Sequence, residues 1–223
     1  MTPDDDITLA WAPSSQSYHL WPPNPRPERL RWYAVLCSVL SAFSVAISWL
    51  AVLTVPGGFL GIGALYFASI FYAVVTYWFG GWGLIASFIG AFVGSGLLAG
   101  MPLVFALPFA AADIIEPLIP FILLRTLAPR FGIDPLGANI LKQPSSTMLF
   151  VVFGAILPPF LSGLWGVSIL KLAGFVPARA FWVAVISWWL GAAVLLALFV
   201  PAICRLLASF VRRSDYACHG FWS

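Results

Sequence analysis

The chain has 223 residues, of which 61% are hydrophobic and only 9% are charged, with a net charge of +3 and a mean hydropathy of +0.98. Soluble domains carry about 25% charged residues, whereas the stretch from Trp32 to Ala112 contains none. This composition excludes a soluble domain, because too little polar surface is left to cover a core. It also leaves no long polar segment for an appended catalytic domain, so the sequence predicts a small polytopic membrane protein.

The first 31 residues form an arm that is rich in proline, serine and aromatic residues. This composition is typical of extended or polyproline-like backbone. Asp4, Asp5 and Asp6 stand where a cleavable signal peptide would need a basic start. We therefore expect the first apolar run to serve as both signal and anchor.

Six apolar runs follow the arm, each with close to the 20 residues or more that a helix needs to cross a bilayer. They are Tyr33–Val55, Phe59–Phe79, Trp82–Met101, Leu103–Leu124, Thr147–Leu170 and Ala180–Cys204. One longer polar loop, Arg125–Ser146, separates the fourth run from the fifth. The sequence thus predicts an all-α domain of six transmembrane helices at residues 32–205, with a short basic tail at residues 206–223.

The basic residues predict how these helices are oriented. Six spans place both termini on one side of the membrane, together with every Lys and Arg except Lys171 and Arg179. An excess of Lys and Arg in short loops marks the cytoplasmic side. We therefore expect both termini in the cytoplasm, and topology rather than nucleic-acid binding accounts for the positive net charge.

Small residues recur at helical spacing in the first and third runs. The first has Ala34, Ser38, Ala42 and Ala46, and the third has Gly90 and Gly94. Lipid gives no hydrophobic drive for helix association, so close backbone approach through small residues supplies the contact. We expect Gly90 and Gly94 to pack helices within the bundle, and Ala42 and Ala46 to face a neighbouring helix or another protein.

Asp113 and Glu116 are the only charged residues well inside a predicted span. An acid near the bilayer centre costs about 2.5–3.5 kcal/mol on insertion scales, so it is a functional candidate. Their i, i+3 spacing puts both on one helix face, and Pro117 and Pro120 cannot donate to the carbonyls of Asp113 and Glu116. This group of acceptors would attract a cation, a proton or a ligand with N–H and O–H groups. The alternatives are a protonated pair bonded to a neighbouring Ser or Thr, and a salt bridge to Lys171 or Arg179.

The fifth span carries two adjacent prolines, Pro158 and Pro159, which remove two helical hydrogen bonds and predict a kink. Irregular backbone at membrane depth lines a cavity or is buried against protein. Trp165 lies in the same run, and Trp188 and Trp189 lie in the sixth. Adjacent residues point about 100° apart around a helix, so we expect at least one of the last two to face inward and stack on a ligand.

No pattern in the chain indicates catalysis or metal binding. Three cysteines (Cys37, Cys204 and Cys218) and two histidines (His19 and His219) lack metal-ligand spacing. The sequence contains no Gly-Xaa-Ser-Xaa-Gly motif, no HExxH motif and no phosphate-binding loop. We expect a protein that is not an enzyme, with no cofactor, no metal and no nucleic-acid partner.

The segments Val55-Pro56-Gly57-Gly58, Gly61-Ile62-Gly63 and Phe79 to Gly94 resemble the substrate-binding (S) components of energy-coupling-factor transporters. Those are six-helix proteins of the bacterial or archaeal cytoplasmic (inner) membrane that capture vitamins or similar small molecules. The resemblance implies a lid at Pro56, Gly57 and Gly58, and a contact between Ala42 and Ala46 and a coupling membrane protein. Separate ATPases would supply the energy. Capture of a small-molecule ligand at Asp113, Glu116 and the tryptophans is accordingly the first function that we expect.

A second resemblance leads to a different function. Ala112 to Leu118, Phe181-Trp182, and Trp188 to Gly191 followed by Pro201 look like the membrane-associated sensor domain of the first type. Such domains have about eight spans and precede a signalling enzyme, whereas this sequence predicts six spans and no output module. A sensory module that signals through a partner is therefore the second expectation. A third is a non-catalytic accessory subunit of a larger membrane complex.

Overall fold

A computed structural model describes residues 27–53, 66–126, 132–214 and 216–222. The described part of the chain contains no β-strand, and the predicted all-α class is confirmed. Its α-helices are α1 (Pro27–Leu53), α2 (Ala68–Phe79), α3 (Gly81–Ile89), α4 (Leu103–Ala110), α5 (Ala112–Thr126), α6 (Pro144–Phe150), α7 (Leu157–Leu172) and α8 (Phe181–Arg213). Two π-helices, Gly90–Leu97 and Val151–Ile156, continue α3 and α6, and a short 3₁₀-helix, Ala178–Ala180, precedes α8.

Four continuous helical stretches are long and apolar enough to cross a membrane. They are Arg29–Leu53, Leu103–Thr126, Pro144–Leu172 and Ala178–Arg213. Two shorter apolar helices, Ala68–Phe79 and Gly81–Leu97, lie in the second and third predicted runs. The membrane character of the protein is therefore confirmed, whereas the count of six spans and the orientation stay predictions. Residues 1–26 of the N-terminal arm lie outside the described residues, and its last five residues, 27–31, begin α1 instead of forming the predicted extended backbone.

The fourth and fifth predicted spans are not uniform helices. In the fourth, α4 and α5 are separated by Ala111. The N–H of Ala111 donates to the carbonyl of Pro108, three residues earlier, at 3.3 Å, which makes this turn tighter than a turn of α-helix. In the fifth, Pro158 and Pro159 stand in the first turn of α7, directly after the π-helix Val151–Ile156. A first turn tolerates proline because its N–H groups have no intrahelical acceptor. The proline pair therefore coincides with a change of helix type.

Helix α1 packs along one face and leaves the opposite face open. Its buried residues recur at helical spacing and are Tyr33, Cys37, Ser41, Ser44, Ser48 and Ala51. Ala34, Ser38, Ala42 and Ala46 are all exposed. The buried face contacts the π-helix Gly90–Leu97, and a Cβ atom built on Gly90 would lie 2.5 Å from the Cβ of Ser44. Gly90 and Gly94 of that π-helix thus lie at a helix–helix contact inside the bundle.

Helix α8 continues past the predicted end of the membrane domain at residue 205, and residues 216–222 then fold back onto the bundle. The N–H of Cys218 donates to the carbonyl of Trp78 at 2.8 Å, and the N–H of Gly81 donates to the carbonyl of Phe221 at 2.6 Å. The indole N–H of Trp82 also donates to the carbonyl of Trp222 at 3.1 Å. We name residues 216–222 the docked tail.

Arg125 ties this tail to the end of α5. Its side chain is buried, and its Nη2 donates to the carbonyls of Tyr77 and Cys218 at 2.9 and 2.7 Å. Hydrogen bonds from a charged donor are roughly twice as strong as neutral ones. The buried guanidinium therefore holds α2, α5 and the docked tail together at one end of the bundle.

Candidate functional site

The two intramembrane acids lie on the first two turns of α5, and both are buried. Asp113 is 1% exposed and Glu116 is 3% exposed. Helix α5 packs against α2 on one side and α7 on another. Since the i, i+3 spacing keeps both carboxyl groups on one face of the helix, they point into the bundle and not towards lipid.

A small cavity lies beside these acids. Its lining residues come from five parts of the chain and are Tyr66, Ser95, Phe109, Asp113, Glu116, Trp188 and Ala192. The cavity volume is about 10 Å³, which is close to the minimum that holds one water molecule. We call this space the acid cavity. In this conformation it has room for a water molecule or a small ion.

Hydroxyl groups form the side of the cavity that faces α1. The hydroxyl of Tyr66 lies 2.5 Å from that of Ser48, 3.3 Å from that of Tyr72 and 3.4 Å from that of Ser95. Ser95 also donates to the carbonyl of Ala91 at 3.0 Å. A hydroxyl has one proton and two lone pairs. Ser95 accepts from Tyr66 and donates to Ala91, so it keeps one lone pair for an occupant of the cavity. Tyr66 donates to Ser95 and accepts from Ser48 and Tyr72, so it can offer a lone pair only if its 3.3 Å contact with Tyr72 is given up.

Each carboxyl group has an oxygen without a partner. Asp113 Oδ1 and Glu116 Oε1 are buried without a hydrogen-bond partner of good geometry. The buried hydroxyl of Ser162 on α7, which also lacks such a partner, lies close to Glu116, so the protonated pair bonded to a neighbouring serine stays an alternative. Among the described residues, no lysine or arginine forms an ion pair with either acid; Arg212, for example, pairs with Asp134 at 2.6 Å. The salt bridge to Lys171 or Arg179 that the sequence left open is thus not formed in the described structure. A buried charge without a partner is costly, so a proton or another cation must compensate it.

The three tryptophans predicted to contact a ligand occupy different environments. Trp188 is buried, lines the acid cavity and makes an edge-to-face contact with Phe109, with ring centroids 5.9 Å apart. Trp165 is exposed, and its indole N–H donates to the carbonyl of Pro108 at 2.7 Å. The structure therefore brings Trp188 together with the acid pair and places Trp165 outside the cavity.

Trp189 lies outside the cavity as well. Its indole N–H donates to the carbonyl of Ile156 at 2.9 Å, and its ring meets that of Phe160. Ile156 ends the second π-helix, and Pro108 precedes the break at Ala111. Both outer tryptophans thus donate to carbonyls next to irregular segments of a helix.

The remaining predicted site residues lie away from the acid cavity. Ala42 and Ala46 are on the exposed face of α1. A Cβ atom on Gly94 would lie 2.6 Å from the carbonyl oxygen of Val45, so this glycine contacts α1. The lid residues Pro56, Gly57 and Gly58 lie outside the described residues. No three His, Cys, Asp or Glu side chains cluster in the part of the chain that the structure describes.

The hydroxyl side of the cavity was not predicted. Neither Tyr66 nor Ser95 stands out in the sequence as a candidate site residue. The signal that could have found them is the scarcity of hydroxyl groups in so apolar a chain, since buried hydroxyls need partners. Even so, the cluster joins residues 18 and 29 positions apart, and no local pattern indicates such pairs.

The fold and the site define an all-helical membrane protein with an unpaired buried acid pair. Comparison with known proteins gives no closer definition: no family model, no curated protein and no solved structure matches this chain.

Proposed function

We propose that this protein is an integral membrane protein of six spans that binds a small solute in the acid cavity and takes part in its uptake. The observation that supports this proposal is the burial of Asp113 Oδ1 and Glu116 Oε1 without hydrogen-bond partners beside that cavity. A solute with a positive charge or with N–H or O–H groups would satisfy both oxygens. Its binding energy would offset the cost of burying two acids.

The size of the cavity restricts the solute. Pockets for drug-sized ligands occupy about 300–1,000 Å³, whereas the acid cavity is close to the size of one water molecule. A vitamin would require Tyr66 or Trp188 to move. The geometry therefore favours a solute of very few atoms over the larger ligands of the S components that the sequence resembles.

The exposed face of α1 supports a role in uptake. Ala42 and Ala46 lie on the face opposite the contact with the π-helix Gly90–Leu97, so both remain open for another membrane protein. Small residues allow close backbone approach between helices in lipid. In the proposed function this face contacts a coupling membrane protein, both termini lie in the cytoplasm, and separate ATPases supply energy.

A second candidate function is sensing, and a specific observation favours it. Asp113, Glu116 and Trp188 carry the resemblance to the membrane-associated sensor domain, and all three line the acid cavity. The segments that carry the resemblance to S components instead include the glycines that pack against α1. In this alternative the occupied cavity would signal through a partner protein.

Solute binding is tested on the full chain purified in lipid nanodiscs. Co-purified organic solutes and inorganic ions are quantified by mass spectrometry for the wild type and for the Asp113→Asn, Glu116→Gln double variant. We expect a small solute in near-stoichiometric amount with the wild type and at least tenfold less with the variant. Asp134→Asn, which removes an acid outside the cavity, should retain the solute. Equal amounts in all three proteins would refute the proposal.

Cross-linking from α1 separates uptake from sensing. A photo-reactive amino acid at Ala42 lies on the exposed face, whereas the same group at Ser44 lies on the buried face and serves as the control. Uptake predicts that the group at Ala42 captures a membrane protein that co-purifies with ATPases. Capture of a kinase or a cyclic-nucleotide enzyme would favour sensing, and capture of subunits of another assembly would favour the accessory role.

A further inference from the structure

We propose that the acid cavity is a site for one dehydrated monovalent cation of about the size of Na⁺, held by oxygen atoms of Asp113, Glu116, Tyr66 and Ser95. This inference rests on the proposed function and narrows its solute to an inorganic ion. The side chains that line the cavity and can act as ligands all do so through oxygen. The indole N–H of Trp188 is a donor only, and no lining residue carries sulfur or an imidazole. Oxygen donors suit alkali and alkaline-earth ions, whereas transition metals favour imidazole and thiolate.

The backbone around the acids adds to this preference. Asp113 follows a break in the helix at Ala111, and Pro117 and Pro120 stand four residues after Asp113 and Glu116. Proline cannot donate a main-chain hydrogen bond, so the carbonyls of both acids lack their usual helical partner.

Size selects among the cations. Mg²⁺ gives up its water shell reluctantly and keeps several waters, and Ca²⁺ takes six to eight oxygen ligands. The cavity has room for about one water-sized sphere, which excludes a hydrated Mg²⁺. Two carboxyl groups and two hydroxyl groups supply six oxygen atoms at most, which is the lower limit for Ca²⁺ and requires both carboxyl groups to bind through both oxygens. A monovalent ion fits the space, and it balances the buried charge when one carboxyl group is protonated and the other is ionised.

Protons compete for the same oxygens. The titratable groups that face Asp113 are Glu116 and the hydroxyls of Tyr66 and Tyr72, and those that face Glu116 are Asp113 and the hydroxyl of Tyr77. No basic group lies among them in the described part of the chain. Protonation of the carboxyl groups would therefore remove the charge that holds the cation, so cation affinity should fall as the pH falls.

The test measures unfolding of the full chain in nanodiscs with NaCl, KCl, LiCl, CaCl₂ or methylammonium chloride at constant ionic strength. Choline, which is too large for the cavity, serves as the balancing cation. A ligand that binds only the folded state stabilises by RT ln(1 + [L]/Kd). Well above Kd, each tenfold increase in Na⁺ should therefore lower the unfolding equilibrium constant about tenfold. K⁺ should act at higher concentrations, and the half-effect concentration of Na⁺ should rise as the pH falls from neutral.

Variants connect this effect to the cavity. Asp113→Asn and Glu116→Gln should abolish the Na⁺ effect, and Tyr66→Phe and Ser95→Ala should raise the half-effect concentration at least threefold. Asp134→Asn is the matched control, because it removes a buried acid from a salt bridge outside the cavity and should lower stability while keeping the Na⁺ effect. If the acid variants do not fold, the test compares the half-effect concentration of Na⁺ between the wild type and the two hydroxyl variants.

The outcomes separate this inference from the proposed function. Equal stability in Na⁺ and choline, or a full Na⁺ effect in a folded Asp113→Asn variant, overturns the inference. Stabilisation by Ca²⁺ but not by Na⁺ overturns its choice of a monovalent ion. Stabilisation by methylammonium alone leaves the proposed binding of a small solute in place and refutes the inorganic cation. Stabilisation by Na⁺ without any uptake partner at Ala42 supports the inference and counts against uptake.

Discussion

Replacing Gly94 with leucine should separate α1 from the π-helix Gly90–Leu97. A Cβ atom at Gly94 would lie 2.6 Å from the carbonyl oxygen of Val45 and 2.8 Å from the Cβ of Ser48. Both distances are well below van der Waals contact, and neither atom sits at the end of a flexible side chain. The added side chain can be accommodated only if one helix moves away from the other.

The size of the effect follows from two opposing contributions. Alanine is about 1 kcal/mol better than glycine inside a helix, whereas overpacking of a well-packed contact costs about 1–3 kcal/mol. Gly94→Ala should therefore lose no more than about 2 kcal/mol. Gly94→Leu adds three more carbon atoms at the same backbone contact, and we expect a loss of at least about 2 kcal/mol. That loss corresponds to about a 30-fold change in the unfolding equilibrium constant.

The measurement is the free energy of unfolding from titration with sodium dodecyl sulfate in mixed micelles. Ala42→Leu is the matched control, because it places the same side chain on the exposed face of α1 and should change stability by less than about 0.5 kcal/mol. Wild-type stability of Gly94→Leu would refute the assigned helix contact. An equal loss for Ala42→Leu would show that the outer face of α1 is packed too.

Two further predictions concern the docked tail. Burial raises the pKa of the Cys218 thiol from about 9 to about 12, so its thiolate is scarcer than in the unfolded chain. Alkylation of Cys218 at pH 8, followed by peptide mass spectrometry, should be at least about tenfold slower in the folded protein than in the unfolded chain and should accelerate as the pH rises. A folded-state rate equal to the unfolded rate at pH 8 would contradict this. Arg125→Gln removes the two hydrogen bonds to the carbonyls of Tyr77 and Cys218. It should speed Cys218 alkylation at least tenfold without changing the helix content measured by circular dichroism, and an unchanged rate would mean that Arg125 does not hold the tail.

The sequence was most informative where a residue broke the local composition. Asp113 and Glu116 interrupt an uncharged stretch, and their cost in lipid predicted burial inside the bundle, where the structure places them. Local periodicity likewise predicted the helices and the small-residue face of α1. The sequence did not indicate which of Trp188 and Trp189 faces the interior of the bundle, because helical geometry requires only that adjacent residues point in different directions.

Features that depend on distant pairs could not be predicted in this way. The docked tail is held by hydrogen bonds between residues 93 and 140 positions apart. Five of its seven residues are hydrophobic, but this composition does not indicate which helices the tail contacts. Trp165 and Trp189 were expected at a ligand because aromatic rings stack well. In the structure their indole N–H groups instead donate to main-chain carbonyls. Only the positions of the irregular helix segments indicate where these hydrogen bonds form.

The acid cavity lies where regular helix geometry is interrupted in two neighbouring elements. Ser95 belongs to a π-helix, a form that is rare and frequently found at functional sites. Asp113 follows the break at Ala111. Backbone irregularity at membrane depth is tolerated only where protein buries it or where it lines a cavity. Both irregular segments lie beside the acid cavity.

Gly94 is next to Ser95 and packs the same π-helix against α1. A substitution that moves α1 should therefore also displace the hydroxyl of Ser48 from that of Tyr66. Packing and binding are therefore coupled, and Gly94→Leu should weaken the Na⁺ effect although Gly94 itself does not line the cavity.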